Sequence, residues 1–217
     1  SIAPIQETVE LARDRARQGF RILKLKGGIE PEEDVRRVHA VRAALPDITL
    51  RLDADQGYTV EQALAVARAL EDCLEMLEQP TSASDVAALR EVTQHSPLPI
   101  LADESLRGPQ SALELASQRA ADGLSIKLAT CGGLHCARQV DAIARAANIT
   151  TMIGCLNEPA LLIAAGLGLA LASPNVGYGD LDGHFDLLGD PTVPGFAFED
   201  GWLVAHDIPG LGCTVDL

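Results

Sequence analysis

The chain has 217 residues, of which 47% are hydrophobic but only 3% are aromatic. An aliphatic composition of this kind is typical of helices packed over a parallel sheet rather than of a β-sandwich. Lys and Arg number 17 against 31 Asp and Glu, so the formal net charge is −14 at pH 7. Such a charge repels nucleic-acid phosphates and anionic lipid headgroups, so we expect no nucleic-acid partner and no membrane partner.

Targeting signals are not evident in the sequence. No apolar run approaches the roughly 20 residues that a helix needs to span a bilayer, and the opening residues carry no basic-then-apolar signal. The five cysteines are odd in number and lie in apolar stretches, which is typical of a reduced protein. We therefore expect a cytoplasmic location, and self-association into a homo-oligomer is compatible with the sequence.

Short apolar runs alternate with segments of helical periodicity along the chain. A first helix is predicted at 6–18, and strands follow at 21–25, 49–53, 74–78, 99–103, 124–128, 150–154 and 175–179. The helices that separate these strands are predicted at 31–45, 60–70, 84–94, 109–121, 134–147 and 157–172. Thr59 and Gln62 resemble a capping box at the start of one of them. Strands joined by helical crossovers run parallel.

Seven strands joined in this way predict an α/β fold of the TIM-type (β/α) barrel class. Residues 1–4 resemble the tail of an eighth strand, clipped at the start of the chain. Residues 185–217 carry Gly, Pro and short β-like stretches in place of a closing helix, so we expect a C-terminal β-like extension there. We predict that residues 1–217 form one barrel domain.

Ionisable side chains follow the predicted strands at one phase of the repeat, and the chemistry of such barrels belongs at the C-terminal ends of the strands. The residues at these ends are Lys24, Lys26, Asp53, Glu78, Asp103, Lys127, Asp180 and Asp182. An isolated carboxylate after a strand is usually a solvated loop residue or a helix cap. Three successive carboxylates in register favour a common site instead.

Asp53, Glu78 and Asp103 end three adjacent strands and should converge on one side of the barrel mouth. Three carboxylates gathered without a cation would repel each other strongly. Carboxylate oxygens without His or Cys suit Mg²⁺, or alternatively Mn²⁺, rather than zinc. The sequence therefore predicts a magnesium site formed by these three residues.

Lys26 and Lys127 end strands that lie opposite each other in an eight-stranded ring, so we expect them to act as an acid/base pair. Lys24 shares a strand face with Lys26, and its charge, with that of a metal, is expected to lower the pKa of Lys26. A substrate carboxylate bound to Mg²⁺ would acidify the adjacent carbon. One lysine would remove a proton and the other would return one, which predicts racemisation or epimerisation.

Asp180 and Asp182 end the last predicted strand, opposite the expected metal ligands. Two carboxylates there could hold a cationic group of a small-molecule substrate. The alternative is an acidic surface turn, because Asp186 and Asp190 follow closely.

Five motifs resemble the enolase superfamily, in its muconate-lactonizing subgroup, where a Lys base acts with Mg²⁺. They are Lys24-Leu25-Lys26, Leu52-Asp53-Ala54-Asp55-Gln56-Gly57, Leu77-Glu78-Gln79-Pro80, Leu101-Ala102-Asp103-Glu104-Ser105 and Ser125-Ile126-Lys127, in order over most of the chain. The resemblance implies that Asp53, Glu78 and Asp103 bind the metal and that Lys26 and Lys127 are the two bases. It also implies a modified (β/α)7β barrel, and no segment of this chain resembles the family's N-terminal capping domain.

Two further segments resemble the dipeptide epimerases of this subgroup. Asp180-Leu181-Asp182-Gly183 is similar to their D-x-D motif, which engages the α-ammonium group of the substrate. Residues 152–158 are similar to their seventh-strand segment, which places Glu158 near the substrate. With Lys24, these residues are expected to bind substrate. The resemblance implies Mg²⁺-dependent epimerisation of a dipeptide of the L-Ala-D/L-Glu type, by two-base 1,1-proton transfer through an enediolate.

Two alternatives stay open at this point. A cycloisomerase, an o-succinylbenzoate synthase or an acid-sugar dehydratase would share the proton abstraction, but their substrates have no ammonium group for Asp180 and Asp182. A catalytically silent barrel fragment need not bind Mg²⁺, so a Mg²⁺-dependent rise in melting temperature distinguishes it from an enzyme.

Overall fold

Parallel strands and helices alternate along the chain in the predicted order. The structure, a computed structural model, describes residues 2–216. It divides into two units, Ser1–Ser105 with Gln118–Asp122 and Leu106–Ser117 with Gly123–Leu217. In each unit the parallel strands neighbour each other in chain order, which confirms the α/β class and the seven predicted strands.

The first unit contains four strands and four helices among its described residues. In chain order these are α1 (Ile5–Arg17), β1 (Ile22–Lys26), α2 (Pro31–Ala44), β2 (Thr49–Asp53), α3 (Val60–Ala69), β3 (Leu77–Glu78), α4 (Val86–His95) and β4 (Ile100–Ala102). The strand order is β1-β2-β3-β4, and the pairings are parallel. The carboxyl ends of these strands therefore share one edge of the sheet.

Side-chain caps fix the starts of two helices in this unit. α3 begins with the predicted capping box, in which Gln62 N–H donates to Thr59 Oγ1 at 3.2 Å and Thr59 N–H donates to Gln62 Oε1 at 2.9 Å. Asp85 caps α4, because its Oδ1 accepts from Ala88 N–H at 2.9 Å. Such caps satisfy amide groups that a helix start leaves unpaired, so they also anchor the loops that leave β2 and β3.

Aliphatic side chains of the sheet form the core of the first unit. Leu50, Leu52, Leu77 and Ile100 are each at most 1% exposed. Burial of one such side chain stabilises the fold by about 1.5–3 kcal/mol. β2 is buried over its last four residues, and this burial carries the carboxylate of Asp53 into the interior with them.

The second unit contains the remaining strands of the parallel sheet and a C-terminal group of short strands. Its elements are α5 (Pro109–Gln118, as far as Ser117), β5 (Gly123–Lys127), α6 (Leu128–Cys131), α7 (Gly133–Ala146), β6 (Thr150–Gly154), α8 (Ala160–Ala172), β7 (Val176–Gly179), a 3₁₀ helix (Gly183–Asp186), β8 (Thr192–Val193), β9 (Phe196–Glu199), β10 (Trp202–Ala205) and β11 (Thr214–Val215). The parallel order is β5-β6-β7. β9 pairs with β10, and β8 pairs with β11, both antiparallel.

Helix α8 is the centre of the core in the second unit. Ile163, Leu167 and Phe196 of β9 are buried in one cluster, and Leu203 of β10 packs against it. Burial on both sides explains why α8 is apolar around its whole circumference. Strands β8 to β11 lie within the predicted C-terminal extension, and β8, β9 and β10 contact this helix.

Several details of the fold differ from the sequence prediction. β3 is limited to Leu77–Glu78, although Glu75 N–H already donates to Leu50 O at 2.8 Å. Residues 2–4 form no strand, because Pro4 has no N–H for a ladder and precedes α1 directly, and Ser1 lies outside the described residues. Closure of the barrel stays a prediction.

The cysteines and the helix lengths complete the description of the fold. All five cysteines are free in the described residues. No helix between residues 2 and 216 combines the length and the apolar character that crossing a bilayer requires.

Candidate active site

Three carboxylates meet at the carboxyl edge of the sheet in the first unit. Asp53 is the last residue of β2, Glu78 is the last residue of β3, and their Cα atoms are partners in the ladder. Asp103 follows β4 directly. One carboxylate oxygen from each residue lies within 4.8 Å of those of the other two, and all three residues are buried. The structure thus brings together the three side chains that the sequence placed at one site.

The donor set of this cluster fits a hard divalent cation. It offers carboxylate oxygens only, which are ligands that Mg²⁺ accepts, and it contains neither His nor Cys. Oxygens that each lie about 2.0–2.1 Å from one Mg²⁺ are separated by up to about twice that distance, which is compatible with the spacing found here. Three buried like charges also call for positive charge nearby.

Two lysines of β1 bring positive charge to the cluster. Lys24 Nζ lies 3.3 Å from Asp53 Oδ2 and 3.2 Å from Glu78 Oε2. Lys26 Nζ lies 2.8 Å from Asp53 Oδ2 and 2.9 Å from Asp55 Oδ1. Alternation along the strand puts both lysines on one face, as expected. Asp55 was not among the residues predicted for this site, so its place in the ion-pair network is a finding of the structure.

These charges shift the pKa values of Asp53 and Lys26. Burial raises the pKa of Asp53, but Lys24 and Lys26 hold it below its usual value. Burial lowers the pKa of Lys26, but the charge of Asp53 and hydrogen bonds to Asp53 and Asp55 raise it above its usual value overall. The charge of Lys24 lowers the pKa of Lys26, as expected. The predicted lowering of the Lys26 pKa included the charge of a bound metal ion, so it stays a prediction. Among the protein groups alone, attraction by Asp53 and the hydrogen bonds outweigh burial and the repulsion from Lys24.

A buried network that the sequence did not reveal anchors the loops after β1 and β2. Asp34 Oδ2 accepts from Gly28 N–H at 2.8 Å and from the Tyr58 hydroxyl at 2.6 Å, while Asp34 Oδ1 pairs with Arg37. Gly28 has φ of +99°, and a Cβ there would lie 1.9 Å from Ala54 O. The two loops therefore touch directly beyond the lysine and the aspartate that end their strands. The one sequence signal for this contact is a glycine pair after the lysine motif.

Lys127 ends β5 in the second unit, as Lys26 ends β1 in the first. Its Cα is paired with that of Gly154 at the end of β6. A Cβ at Gly154 would lie 3.4 Å from Lys127 Cγ and 3.5 Å from its Cε. The lysine side chain therefore lies across a glycine, where a larger residue would crowd it.

Glu158 lies between β6 and α8 and is 5% exposed. Its Oε2 accepts from Leu156 N–H at 3.2 Å. Burial raises the pKa of Glu158 above its usual value, and the Leu156 N–H and the charge of Lys127 offset only part of this shift. Glu158 and Lys127 are thus close enough to interact electrostatically.

Asp180 and Asp182 follow β7 and lie around Cys155. Cys155 Sγ lies 3.8 Å from Asp182 Oδ1 and accepts from Gly183 N–H at 3.3 Å. Burial and the charges of Asp180, Asp182 and Glu158 raise the pKa of the Cys155 thiol to about 12. The thiol therefore stays protonated at neutral pH, within an acidic cluster that the sequence did not lead us to expect around it.

The predicted site residues fall into two groups, one in each unit. Lys24, Lys26, Asp53, Glu78 and Asp103 belong to the first unit, and Lys127, Glu158, Asp180 and Asp182 belong to the second. The opposition of Lys26 and Lys127 across a barrel mouth stays a prediction. The whole sequence contains three lysines, and all three lie on strands of the parallel sheet. Lys26 and Lys127 are the last residues of β1 and β5, and Lys24 lies two residues before the end of β1.

Comparison with known proteins places these residues in a family. The sequence matches a model of the family described as Enolase C-terminal domain-like over residues 7–217. The chain belongs to this family. The resemblance to the enolase superfamily is therefore confirmed for this enolase-family chain.

Several relatives of the enolase-family chain are named epimerases. It is 41% identical over 214 residues to the L-Lys-D/L-Arg epimerase of Methylococcus capsulatus, an alignment that covers 97% of this chain and 60% of that protein. A substrate-liganded L-Ala-D/L-Glu epimerase from Bacillus subtilis matches with a TM-score of 0.96 at 32% identity, over 100% of this chain and 62% of that one. A third match is the dipeptide epimerase from Methylococcus capsulatus complexed with Mg and L-Arg-D-Lys. Its TM-score is 0.93 at 38% identity, and the match covers 98% of this chain and 61% of that one.

These matches bear on both the fold and its extent. The predicted (β/α) fold class is confirmed, since the Bacillus subtilis structure superposes over the whole chain. The resemblance to dipeptide epimerases within the superfamily is confirmed as well. The chain spans about 60% of the length of the curated relatives it matches.

Proposed function

We propose that this enolase-family chain carries the catalytic residues of a Mg²⁺-dependent dipeptide epimerase, an isomerase. The observation that carries the proposal is the group of three buried carboxylates with two lysines paired to it. The names of the three relatives reported above support it, because all three are epimerases and one of them is complexed with Mg and a dipeptide.

We assign Asp53, Glu78 and Asp103 as the ligands of the cation. When bound there, Mg²⁺ would stabilise the negative charge that develops on a substrate carboxylate as its α-proton leaves. Lys24 Nζ lies within 3.3 Å of oxygens of both Asp53 and Glu78, so a substrate carboxylate beside these ligands would also meet an ammonium group. Lys24 is therefore assigned to substrate binding.

Two lysines then move the protons. Lys26 Nζ accepts the α-proton of the substrate, and the ammonium group of Lys127 donates a proton to the same carbon from the other side. Lys26 gains one proton, Lys127 loses one, and the substrate leaves with inverted configuration. In the reverse direction the roles exchange, so each lysine serves one epimer. The restriction of lysine to three positions in 217 residues favours this assignment over chance placement.

The acidic cluster of the second unit suits the ammonium end of a dipeptide. We infer that Asp180 and Asp182 pair with the α-ammonium group, with Glu158 beside them, because charge-assisted hydrogen bonds to carboxylates are the strong ones. An L-Ala-D/L-Glu dipeptide is the first candidate, on the similarity of residues 180–183 to the D-x-D motif. Substrates of the cycloisomerase or dehydratase class have no group to pair with this cluster.

A dipeptide with cationic side chains is the second candidate substrate. Three carboxylates act on the single thiol of Cys155, which is more negative charge than one α-ammonium group neutralises. The relative that is 41% identical is named an L-Lys-D/L-Arg epimerase. The net charge of −14 also attracts a cationic substrate in preference to an anionic one.

Deuterium incorporation tests the reaction and its substrate together. The chain is incubated with Mg²⁺ in D₂O, with Ala-Glu-type dipeptides in one sample and Lys/Arg-containing dipeptides in another. We expect one sample to gain a single deuterium at an α-carbon and to yield the second epimer, because a lysine exchanges its protons with solvent. No label in either sample, with Mg²⁺ binding established separately, would contradict the epimerase proposal.

A pair of variants tests the role of the acidic cluster in the same assay. Asp182→Asn removes a charge that acts on Cys155, whereas Asp186→Asn removes a charge from the exposed end of the following 3₁₀ helix. We expect Asp182→Asn to reduce labelling of dipeptides at least tenfold through a higher KM, in the range of one charge-assisted hydrogen bond, and Asp186→Asn to leave it unchanged. Equal labelling by the two variants would remove the support for an ammonium subsite.

A further inference from the structure

Gln79 follows Glu78 directly and is completely buried. Its backbone φ is +32°, a conformation that residues other than glycine seldom adopt. Two backbone hydrogen bonds maintain it: Gln79 N–H donates to Leu101 O at 2.8 Å, and Gln79 O accepts from Gln56 N–H at 2.8 Å. The residue therefore lies at the junction of three loops, those that leave β2, β3 and β4.

The side chain of Gln79 connects the third of these loops to the second. Its Oε1 accepts from Asp103 N–H at 2.9 Å and from Ser105 N–H at 3.1 Å. Its Nε2 donates to Thr81 O at 2.9 Å and to Ser105 Oγ at 2.9 Å. A carboxamide offers two donors and two lone pairs, so this one is fully used. Its orientation is thereby fixed, since exchanging oxygen and nitrogen would set donors against the two amide N–H groups.

This arrangement ties two of the assigned metal ligands to each other through one side chain. Glu78 precedes Gln79 in the chain, and the backbone amide of Asp103 is held by Gln79 Oε1. Rotation of the Asp103 backbone or withdrawal of its loop would break that bond and leave a buried amide unpaired, which is unfavourable. Gln79 therefore restrains the backbone of Asp103 relative to that of Glu78.

We propose that Gln79 is a positioning residue that sets this spacing for Mg²⁺ and disfavours larger cations such as Ca²⁺. The inference rests on the proposed function only in taking Asp53, Glu78 and Asp103 as the metal ligands. Mg²⁺ requires near-octahedral geometry with oxygens at about 2.0–2.1 Å, whereas Ca²⁺ accepts flexible geometry at about 2.3–2.6 Å. A looser ligand cluster must therefore lose more affinity for Mg²⁺ than for Ca²⁺.

The ratio of the two dissociation constants separates positioning from a merely structural role. A residue that only supports the fold changes the melting temperature, but it leaves the Ca²⁺ to Mg²⁺ ratio unchanged at a temperature where the protein stays folded. Loss of an interaction that orients metal ligands weakens metal binding by about 10–100-fold in general. We expect the ratio of the two dissociation constants to change by a large part of this roughly 10–100-fold range. The measurement of metal binding does not require an active enzyme.

The test compares Gln79→Met with Gln56→Met, which makes the same change on the neighbouring loop. Gln56 is exposed, and its Oε1 accepts from Ala83 N–H at 2.9 Å without contacting any ligand residue. Isothermal calorimetry gives both dissociation constants, and far-UV circular dichroism verifies the fold. We expect Gln79→Met to bind Mg²⁺ about tenfold more weakly or worse, with Ca²⁺ affected by less than about threefold. Gln56→Met should match the wild-type protein for both cations.

The outcomes that overturn the inference are distinct from failure of the proposed function. The inference is overturned if Gln79→Met leaves the ratio of the Ca²⁺ and Mg²⁺ dissociation constants unchanged. It is also overturned if Gln56→Met shifts this ratio as much as Gln79→Met does. If Gln79→Met does not fold, Gln79→Asn and Gln56→Asn replace the pair, because the shorter amide stays polar but cannot reach both loops. If the wild-type protein binds neither cation, the metal assignment itself fails.

Discussion

Lys26 and Asp53 are paired both through their backbones and through their side chains. Their Cα atoms are paired in the β1–β2 ladder, and Lys26 Nζ lies 2.8 Å from Asp53 Oδ2. The carboxylate that we assign to the metal is therefore the one that holds the proposed base. A divalent cation bound to Asp53 and the Lys26 ammonium group repel each other, by about 2 kcal/mol at a separation of about 4 Å even in bulk water.

Lys26→Met should tighten Mg²⁺ binding while it abolishes epimerisation. Removing a repulsion of about 2 kcal/mol corresponds to roughly thirtyfold in the dissociation constant, which calorimetry at neutral pH can measure. Arg68→Met serves as the control, because it removes one positive charge from an exposed position on α3. Weaker Mg²⁺ binding in Lys26→Met would show that the lysine supports the metal site instead of competing with it.

Single-lysine variants should separate the two halves of the reaction. If each lysine serves one epimer, Lys26→Ala and Lys127→Ala should both lose epimerisation, yet each should still exchange the α-proton of one epimer with D₂O. The two variants should retain opposite epimers, because the remaining lysine differs. Proton NMR of separately supplied L,L and L,D dipeptides measures this exchange. Residual epimerisation in either variant would contradict a two-base mechanism.

Asp53→Asn should remove the Mg²⁺-dependent rise in melting temperature. A ligand present at 100 times its dissociation constant stabilises the folded state by about 2.7 kcal/mol, and a protein that cannot bind it gains nothing. Asp55→Asn is the matched control, because Asp55 also pairs with Lys26 but is exposed and lies outside the carboxylate cluster. We expect this control to keep the rise. Differential scanning fluorimetry with and without Mg²⁺ makes the comparison.

Tyr58→Phe should destabilise the first unit by about 1.5–3 kcal/mol, the usual range for a hydrogen bond to a charged group. Burial and the Asp34 carboxylate raise the pKa of Tyr58 well above its usual range, so the phenol remains a donor wherever the protein is folded. Urea unfolding gives the change in free energy. A double-mutant cycle with Asp34→Asn isolates the contact, and a coupling near zero would show that the hydroxyl does not support the loops after β1 and β2.

Glu158→Gln should be more stable than the wild-type protein at neutral pH but not at acidic pH. Burial raises the pKa of Glu158 in the folded state. The stabilising contribution of a group with a raised folded pKa is complete below its unfolded pKa and is lost as the pH rises through its folded pKa. Gln avoids that loss and retains an acceptor for Leu156 N–H. Melting curves from acidic to neutral pH test this, with Glu199→Gln, the same change at an exposed position, as the control.

Local patterns in the sequence were enough to predict the alternation of elements and the residues at the strand ends. Helical and strand periodicities are local, so the predicted strand at 49–53 coincides with β2 and the capping box of α3 was read from four residues. Convergence of Asp53, Glu78 and Asp103 followed from this, because parallel strands end at one edge of a sheet. β3 was predicted too long, since a ladder depends on its neighbours as well as on its own apolar pattern.

How these residues are held, and how their charges act on one another, depends on contacts between parts of the chain that are distant in sequence. Gln79 and Asp103 are distant in sequence, and no pattern in the sequence around either residue indicates that the Gln79 carboxamide accepts a hydrogen bond from the Asp103 backbone amide. The pKa of Lys26 is a balance of burial, attraction by Asp53 and repulsion by Lys24, whose sum depends on distances of a few ångströms. Patterns of residue types specify which groups reach a site. The signs of their mutual effects depend on geometry, because electrostatic and hydrogen-bond energies change steeply with separation and burial.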